Sequence, residues 1–459
     1  MADLVVRGGR VYTPDGFRAA DVRVEDGRVV EVRAEVAGGG PEVDAAGLLV
    51  LPGAVDAHVH SRDPGFPEKE DFASLTAAAA AGGVTTVVDM PNTVPAVDGP
   101  EVFAEKAAAA ASRALVDFAL WGAIRSSTEP AQIAALAEAG VVGFKAYLGY
   151  AFRLRERQIV YTAERGDANL EPPPDYGTIA HLAPAIRARS LPLAAHAEDP
   201  GVLHRFSRPL TTYADLLAAR PALAEGIAVA ALGAISRETG LAVHVVHVSS
   251  RAGLRAALEA RRAGAGLTLE TCPQYLWLTD ADYDRLGASM KVYPAVRTAD
   301  DQAALRQALR QGDLDLVASD HAPHTDGEKL GRSLEEALPG SPGVETLYLS
   351  CLELARDGGD PGAAARWASE APARMLGIHP RKGAIQPGAD ADLVLVDPGA
   401  ATVVSADSLH SRQRHCALEG RRFGFALRAV YSRGELVAAG GEPVAAAGRG
   451  KLVRPLTRT

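Results

Sequence analysis

Two histidines separated by one residue lie near the start of the chain, at the end of an apolar stretch. His58 and His60 follow residues 49–55, which have the composition of a buried β-strand. Side chains alternate along a strand, so these two imidazoles point to the same face. Zinc binds neutral histidine nitrogens at about 2.0–2.1 Å, so two imidazoles on one face can hold one divalent ion. The spacing therefore predicts a metal site, although this pair alone would equally suit a polar loop.

Similar chemistry recurs at the ends of four other predicted strands. The side chains concerned are those of Lys145, His196, His244, His247, Asp320 and His324. Any one of them alone is more often structural. In a parallel barrel, however, the C-terminal ends of the strands meet at one mouth. The convergence of so many metal-binding and acid–base groups at these ends predicts an active site there.

The stretch 53–380 alternates apolar strands with alanine-rich helices. The eight predicted strands are 54–60, 84–90, 115–121, 141–146, 193–196, 242–248, 267–271 and 314–319. Strands that alternate with helices pair in parallel through right-handed crossovers. Eight such units predict an α/β fold with a (β/α)8 TIM-type barrel. A doubly wound open sheet is the alternative, but no Gly-x-Gly-x-x-Gly follows the first strand.

The two ends of the chain, 1–52 and 381–459, have a different pattern of short β-rich segments and turns. Neither end has enough apolar residues to bury a core alone. We therefore expect both ends to join in one small β-sandwich beside the barrel. The connection 149–176, after the fourth barrel strand, is unusually long. It is either a functional lid or a disordered tip.

Lys145 is an unexpected residue type beside a metal site. A protonated lysine would be repelled by divalent cations, and an ammonium group has no lone pair to offer them. Carbamylation by CO₂ would convert the amine into an anionic group whose two oxygens can bridge two metals. The alternative is a surface or salt-bridged lysine, which is the usual situation for this residue.

Taken together, these motifs resemble the cyclic amidohydrolases of the amidohydrolase superfamily: dihydroorotase, allantoinase, hydantoinase and dihydropyrimidinase. The resemblance extends over nearly the whole chain and includes the motifs at 82–86, 270–273, 343–346 and 387–393. It implies a centre of two divalent ions, usually zinc. The implied ligands are His58, His60 and Asp320 for one ion, His196 and His247 for the other, and carbamylated Lys145 as the bridge. His244 is interpreted as a packing residue.

Within this group, three residues resemble dihydroorotase most. Arg62, Asn92 and His324 stand where dihydroorotases bind the carboxylate of their substrate. A planar guanidinium binds a carboxylate through two parallel hydrogen bonds, and the other two side chains can add donors. The segment 293–297 departs from the Asn-Pro-Pro-Leu-Arg that is typical of dihydroorotases, since Tyr293 and Ala295 replace asparagine and proline. That segment usually lines the pyrimidine ring, so the departure concerns the identity of the ring.

The resemblance implies hydrolysis, or reversible formation, of a cyclic amide bond. We expect dihydroorotase activity, which interconverts dihydroorotate and N-carbamoyl-L-aspartate in pyrimidine biosynthesis. Water activated by the metals would attack the carbonyl, and Asp320 would act as base and then as acid towards the departing ring nitrogen. An allantoinase or a hydantoinase-type ureide hydrolase is the alternative. An inactive scaffold on the same fold is less expected, because every ligand position is filled.

Composition excludes several other classes of protein. The net charge of −9 argues against non-specific nucleic-acid binding, which needs a basic surface. Three widely spaced cysteines suggest no disulfide framework and suit the cytoplasm. We see no signal peptide, and no apolar run that reaches the roughly 20 residues needed to span a bilayer. The expected partners are a small cyclic amide and further copies of the chain, in a homodimer or homotetramer.

Overall fold

The chain begins with five β-strands that lie in a sheet beside the barrel. The computed structural model describes residues 3–161 and 167–456. The five strands are β1 (Leu4–Thr13), β2 (Gly16–Glu25), β3 (Arg28–Arg33), β4 (Glu42–Asp44) and β5 (Leu49–Pro52). β1 is longer than the short β-rich segments that the sequence predicts for this end of the chain. Its register against β2 shifts between Val6 and Gly9, because Gly8 takes a φ of +67° that bends the strand.

Parallel strands form the central barrel, and three short antiparallel strands lie in the long connection after the fourth barrel strand. In chain order they are β6 (Ala54–Val59), β7 (Val84–Asp89), β8 (Asp117–Leu120), β9 (Gly122–Ala123), β10 (Phe144–Tyr147), β11 (Ala151–Arg153), β12 (Gln158–Val160), β13 (Leu170–Glu171), β14 (Leu193–His196), β15 (Val243–Val245), β16 (Leu267–Thr271) and β17 (Leu316–Val317). β8 and β9 are two parts of the third barrel strand. A parallel bridge between Val59 and His321 joins the last barrel strand to the first. The predicted (β/α)8 barrel is confirmed.

Helices cover the outside of the barrel and connect its strands. They are α1 (Phe72–Ala81), α2 (Pro100–Arg113), α3 (Pro130–Ala139), α4 (Tyr176–Ala188), α5 (Pro200–Phe206), α6 (Tyr213–Ala219), α7 (Ala222–Thr239), α8 (Arg251–Arg262), α9 (Pro273–Trp277), α10 (Tyr283–Leu286), α11 (Ala299–Gln311), α12 (Asp326–Lys329), α13 (Leu347–Asp357), α14 (Ala363–Ala365) and α15 (Ala371–Met375). Asp71 caps α1 by accepting a hydrogen bond from the Ser74 backbone N–H at 2.8 Å. At the other end of α1, a Cβ on Gly82 would lie 2.6 Å from the Glu345 Cα. Glycine therefore allows α1 to approach the segment before α13.

The two ends of the chain meet in one nine-stranded sheet, as the sequence predicts. The C-terminal strands are β18 (Leu393–Asp397), β19 (Thr402–Val403), β20 (Arg422–Phe423), β21 (Ala426–Ser432), β22 (Glu435–Ala439) and β23 (Glu442–Pro443). β5 and β18 pair antiparallel at the junction, with Leu51 opposite Val394. The buried Lys382 ammonium connects this sheet to the barrel, since it lies 2.8 Å from Asp392 and 2.6 Å from Asp117 at the start of β8. The domain limits 1–52, 53–380 and 381–459 remain predictions.

One stretch, 213–239, is long and apolar enough to cross a membrane by length and composition, with a mean hydropathy of 1.5. The prediction that no such run exists did not identify it. The stretch forms α6 and α7, and α7 packs against α4 and α8 in the outer layer of the barrel. The 18-residue window is 44% buried, and the contacts with α4 and α8 place α7 among the helices that cover the barrel.

Candidate active site

A cavity opens at the C-terminal ends of the barrel strands. This is the end at which barrel enzymes place their active sites. The structure brings all six predicted metal ligands to its wall, namely His58, His60, Lys145, His196, His247 and Asp320. Their convergence from separate strands agrees with the placement that the sequence predicts. Their roles in metal binding remain predictions.

Three of these side chains form one tight group. The Nε2 atoms of His58 and His60 each lie 3.3 Å from Oδ1 of Asp320. In a tetrahedral site with ligands at about 2.0–2.1 Å, neighbouring donor atoms lie roughly 3.3 Å apart. This spacing therefore suits three ligands of a single ion. Burial raises the pKa of the Asp320 carboxyl, but the adjacent His58 and His60 bring that pKa below its ordinary value. Asp320 is thus an anion at neutral pH.

A second group lies beside the first. Nδ1 of His196 is 2.9 Å from Nε2 of His247, and the His247 ring centroid is 5.5 Å from that of His58. Burial lowers the pKa of both His196 and His247, and it lowers the pKa of His60 to about 4. Their imidazoles are therefore neutral near pH 7, which is the form that binds a metal.

Lys145 lies at the same wall with its Nζ fully buried. Among the residues that the structure describes, this nitrogen has no hydrogen-bond partner. Burial lowers the pKa of Lys145 to about 8. A neutral amine can react with CO₂, and the carbamate would give the orphaned nitrogen an anionic group that divalent ions can bind. The donor set at this mouth therefore fits two metals bridged by a carbamate.

Three site residues have backbone conformations that side chains other than glycine rarely adopt. The φ angles are +59° at Arg62, +42° at His247 and +49° at Asp320. Such conformations persist only where the surrounding structure holds them, and they are common at functional sites. They also correct one predicted boundary. The sixth strand was predicted to run to residue 248, but it ends at Val245, because the turn at His247 leaves the extended region.

Glu270, at the end of β16, supports both metal-binding groups, and sequence reasoning missed its role. Its Oε1 accepts hydrogen bonds from His58 Nδ1 at 2.8 Å and from the His247 backbone N–H at 3.1 Å. Its Oε2 is 3.1 Å from Nε2 of His244. Burial raises the pKa of the Glu270 carboxyl, but His58 and His244 bring it below its ordinary value. A carboxylate in this position orients the histidine ligand and fixes its tautomer. His244 is buried next to it, consistent with a packing role.

A second supporting carboxylate was also missed. Glu198 Oε2 lies 2.9 Å from Nε2 of His196, and Arg220 pairs with the same carboxylate. The Arg220 guanidinium stacks 3.8 Å from the ring centroid of Tyr293. Arg220 therefore contacts both Glu198, which lies beside the predicted ligand His196, and Tyr293 of the cavity wall. Glu198 follows His196 by two residues, and this alternation is the one sequence signal that pointed to it.

The three predicted carboxylate-binding residues do not form a single open subsite. Asn92 Oδ1 accepts a hydrogen bond from Nδ1 of His60 at 2.7 Å. Arg62 and His324 do lie together, with Nη2 of the arginine 3.5 Å from Nε2 of the histidine. The Arg62 Nε donates to the carbonyl of Pro323 at 3.2 Å. Among the described residues, no carboxylate lies within 4.0 Å of Arg62, and none of the three lines the cavity.

Tyrosines form much of the remaining cavity wall. They are Tyr147, Tyr150, Tyr161 and Tyr293. The Tyr150 hydroxyl lies 3.1 Å from Nε2 of His196, and the Tyr161 ring packs edge-on to Tyr150 at 4.9 Å. Tyr150 and Tyr161 come from the connection 149–176, where β11 to β13 form a small sheet. Residues 162–166 of this connection lie outside the described part of the chain. The connection therefore contributes directly to the cavity wall.

Comparisons with known proteins agree with this geometry. A family profile described as the amidohydrolase family matches residues 49–437. An allantoinase from Rubrobacter xylanophilus is 37% identical over 462 residues, covering 99% of this chain and 98% of that protein. A dihydroorotase from Halobacterium salinarum is 35% identical over 416 residues, covering 87% of this chain and 91% of that protein. The solved L-hydantoinase (dihydropyrimidinase) from Arthrobacter aurescens has a TM-score of 0.91 at 29% identity, covering 99% of this chain and 100% of that chain.

The relatives differ in their named substrates but share one reaction type. Allantoinases and dihydroorotases match at similar identity, so the predicted nearness to dihydroorotase in particular is not confirmed. The match extends over almost the whole chain, including every strand that contributes to the cavity. The chain therefore belongs to the amidohydrolase family, and it is a cyclic amidohydrolase, a metal-dependent hydrolase of carbon–nitrogen bonds in cyclic amides.

Proposed function

We propose that this enzyme hydrolyses a neutral cyclic ureide of the allantoin type. This proposal rests on the cavity wall next to the ligand groups, where the described residues include four tyrosines and no arginine. Phenolic hydroxyls can donate to the carbonyls and accept from the N–H groups of a ureide. The relatives named allantoinase support the same assignment. Allantoin-type ring opening was the alternative to dihydroorotase in the sequence interpretation, and it becomes the main proposal.

For the cofactor, we propose two divalent ions, most simply zinc. His58, His60 and Asp320 would hold one, and His196 and His247 the other, with carbamylated Lys145 between them. The chemistry that bound divalent ions supply is activation of water and polarisation of a carbonyl. Manganese, cobalt and iron accept a similar ligand set, so zinc rests on the preference of histidine-rich sites. A homodimer or homotetramer and a cytoplasmic location remain predictions.

Proton transfer during hydrolysis would then depend on Asp320. Asp320 is an anion at neutral pH, and its Oδ1 lies between two imidazoles at the cavity wall. It would take a proton from the attacking water and deliver it to the ring nitrogen as the amide C–N bond breaks. The carbonyl carbon gains the hydroxyl and becomes a carboxylic acid, which releases its proton to solvent at neutral pH. The ring N–H gains the proton that Asp320 delivers and leaves as an NH2 group. Glu270 and Glu198 would keep the histidines oriented during this exchange.

Dihydroorotate is the second candidate substrate, and one observation favours it. Arg62 is 8% exposed and close to the cavity, yet no carboxylate among the described residues pairs with it. A buried guanidinium without an anion is unusual, because buried charges are normally paired. The carboxylate of a substrate would supply that anion if the arginine turned towards the cavity.

A substrate panel distinguishes the two candidates. We expect metal-loaded enzyme to open allantoin, and to open hydantoin or dihydrouracil more slowly, with little activity towards dihydroorotate. Arg62→Met should then change kcat/KM for allantoin by less than about threefold, because no charged hydrogen bond is lost. If dihydroorotate is the true substrate, the same change should cost roughly 10- to 150-fold, since hydrogen bonds to charged groups are worth about 1.5–3 kcal/mol.

Arg113→Met is the matched control for this panel. Arg113 already has a carboxylate partner, Asp63, and about half of its side chain is exposed. Its removal should leave the ratio of the two activities unchanged. Rapid turnover of dihydroorotate by the wild type, with no turnover of allantoin, would contradict the proposed substrate class.

A further inference from the structure

We propose that the Tyr147 hydroxyl is a substrate-binding group that selects ring substrates carrying a hydrogen-bond acceptor besides the scissile carbonyl. This inference rests on the proposed hydrolysis of a cyclic ureide, which has a second carbonyl. It assigns a specificity-determining role to a residue that neither the metal groups nor the predicted carboxylate subsite includes. The argument depends on where the side chain lies and on what its hydroxyl lacks.

Strand geometry places the Tyr147 side chain beside Lys145 at the cavity wall. Tyr147 ends β10, two residues after Lys145, so both side chains point to the same face of the strand. Both line the active-site cavity. The Lys145 Nζ lies 5.0 Å from the centroid of the Tyr147 ring. A small ring substrate whose scissile carbonyl sits at the ligand cluster therefore has Tyr147 beside it.

The Tyr147 hydroxyl is buried and has no hydrogen-bond partner among residues 3–161 and 167–456. The side chain as a whole is only 6% exposed. Buried tyrosine hydroxyls normally find a partner, and other tyrosines of this chain do so. Tyr348 donates to the Pro52 carbonyl at 2.8 Å, and Tyr213 donates to the Val296 carbonyl at 2.9 Å. Tyr147 differs from them in facing the cavity.

The chemistry of a phenol defines the group that it would bind. A tyrosine hydroxyl, with an ordinary pKa of about 10, is protonated at neutral pH and donates one hydrogen bond. Its neighbours on the wall include two further phenols, Tyr150 at 5.9 Å between ring centroids and Tyr161. The site therefore suits a neutral acceptor, such as the second carbonyl of a ureide, better than a carboxylate. A buried donor with no other partner also discriminates strongly against a ring that lacks the acceptor.

Tyr147→Phe is the direct test, because it removes only the hydroxyl oxygen. We expect kcat/KM for the best ureide of the substrate panel to fall roughly 5- to 150-fold, mostly through a higher KM. Metal content should stay at the wild-type value. The melting temperature of the substrate-free enzyme should be unchanged or higher, because the change removes a buried hydroxyl without a protein partner.

Tyr348→Phe is the matched control. It removes a hydroxyl that donates to a backbone carbonyl far from the cavity wall, so the melting temperature should fall while KM stays the same. A Tyr147→Phe enzyme with wild-type KM, or one that melts earlier and has lost metal, would overturn the proposed role. Failure of the proposed function would look different, because the wild type would then open no ureide of the panel. In that case both proposals fall together.

Discussion

Lys145→Ala is expected to lose nearly all ring-opening activity and most of its bound metal. The buried Nζ has no protein partner among the described residues, and burial lowers the pKa of this lysine to about 8. Carbamylation would give this lysine an anionic group between the two groups of ligands. Metal ions contribute several kcal/mol of charge stabilisation in the transition state, so their loss should cost on the order of 10³-fold in kcat.

Chemical rescue makes this prediction specific. Acetate or propionate can occupy the space of the missing side chain and present two oxygens, so either acid should restore part of both the metal content and the rate. Metal analysis and initial rates, measured with increasing acid concentration, follow the rescue. Full activity of the alanine variant without added acid would contradict the bridging role.

Lys106→Ala is the control for that rescue. Lys106 is also a fully buried barrel lysine, but its ammonium already pairs with Asp89 at 2.6 Å and donates to the Met90 carbonyl at 2.8 Å. Its loss should lower the melting temperature, because it leaves a buried carboxylate unpaired. Short carboxylic acids should not restore stability or rate in this variant, since they would add negative charge beside Asp89.

Asp320→Asn is expected to lower kcat by about 10²- to 10⁴-fold, which is the usual contribution of a general acid–base group. The amide keeps the size of the side chain and one oxygen for ligation, but it cannot carry the proton. Metal content should therefore fall far less than the rate does. Rate and metal content would be measured on the same preparation.

Asp315→Asn provides the comparison for Asp320. Asp315 precedes β17 at the other end of the barrel, where it pairs with Arg261 and accepts a hydrogen bond from the Leu269 backbone N–H. Its substitution should reduce stability without lowering kcat. An Asp320→Asn enzyme that keeps both its metals and its full rate would show that another group moves the proton.

The barrel and its ligand groups could be predicted from sequence because their signals are local. Apolar strands alternate with alanine-rich helices, and His58 and His60 share a face through the two-residue period of a strand. The ends of parallel strands meet at one mouth, so His196 and Asp320 could be placed together without knowing any distance. The joining of the two chain ends beside the barrel followed from the small size of each end, and the structure shows that β5 and β18 make this junction.

The contacts that hold the predicted metal ligands and the cavity wall in place could not be predicted from sequence in the same way. Glu270 reaches His58 across a sequence separation of 212 residues, and Arg220, at the end of α6, reaches Tyr293 in a later loop. Sequence carries no local signal for such contacts. The backbone turn at His247 also had no signal, because a histidine rarely adopts a positive φ.

Arg62 shows that a sequence motif does not fix the direction of a side chain. Its position next to the His-x-His motif favoured a carboxylated substrate, yet Asn92 contacts His60 and the arginine donates to a backbone carbonyl. Relatives named allantoinase and dihydroorotase match at similar identity, so the motif alone does not identify the ring. Specificity depends on the direction of side chains around the ring, and a motif does not encode that direction.

Metal titration of one preparation tests whether ring opening depends on two bound divalent ions. The protein would be stripped with a chelator and titrated with zinc in the presence of bicarbonate, while bound metal and ureide hydrolysis are measured together. We expect the metal-free enzyme to be inactive, and its activity to rise with added zinc and saturate at about two ions per chain. Full ureide hydrolysis by the metal-free protein would contradict this dependence.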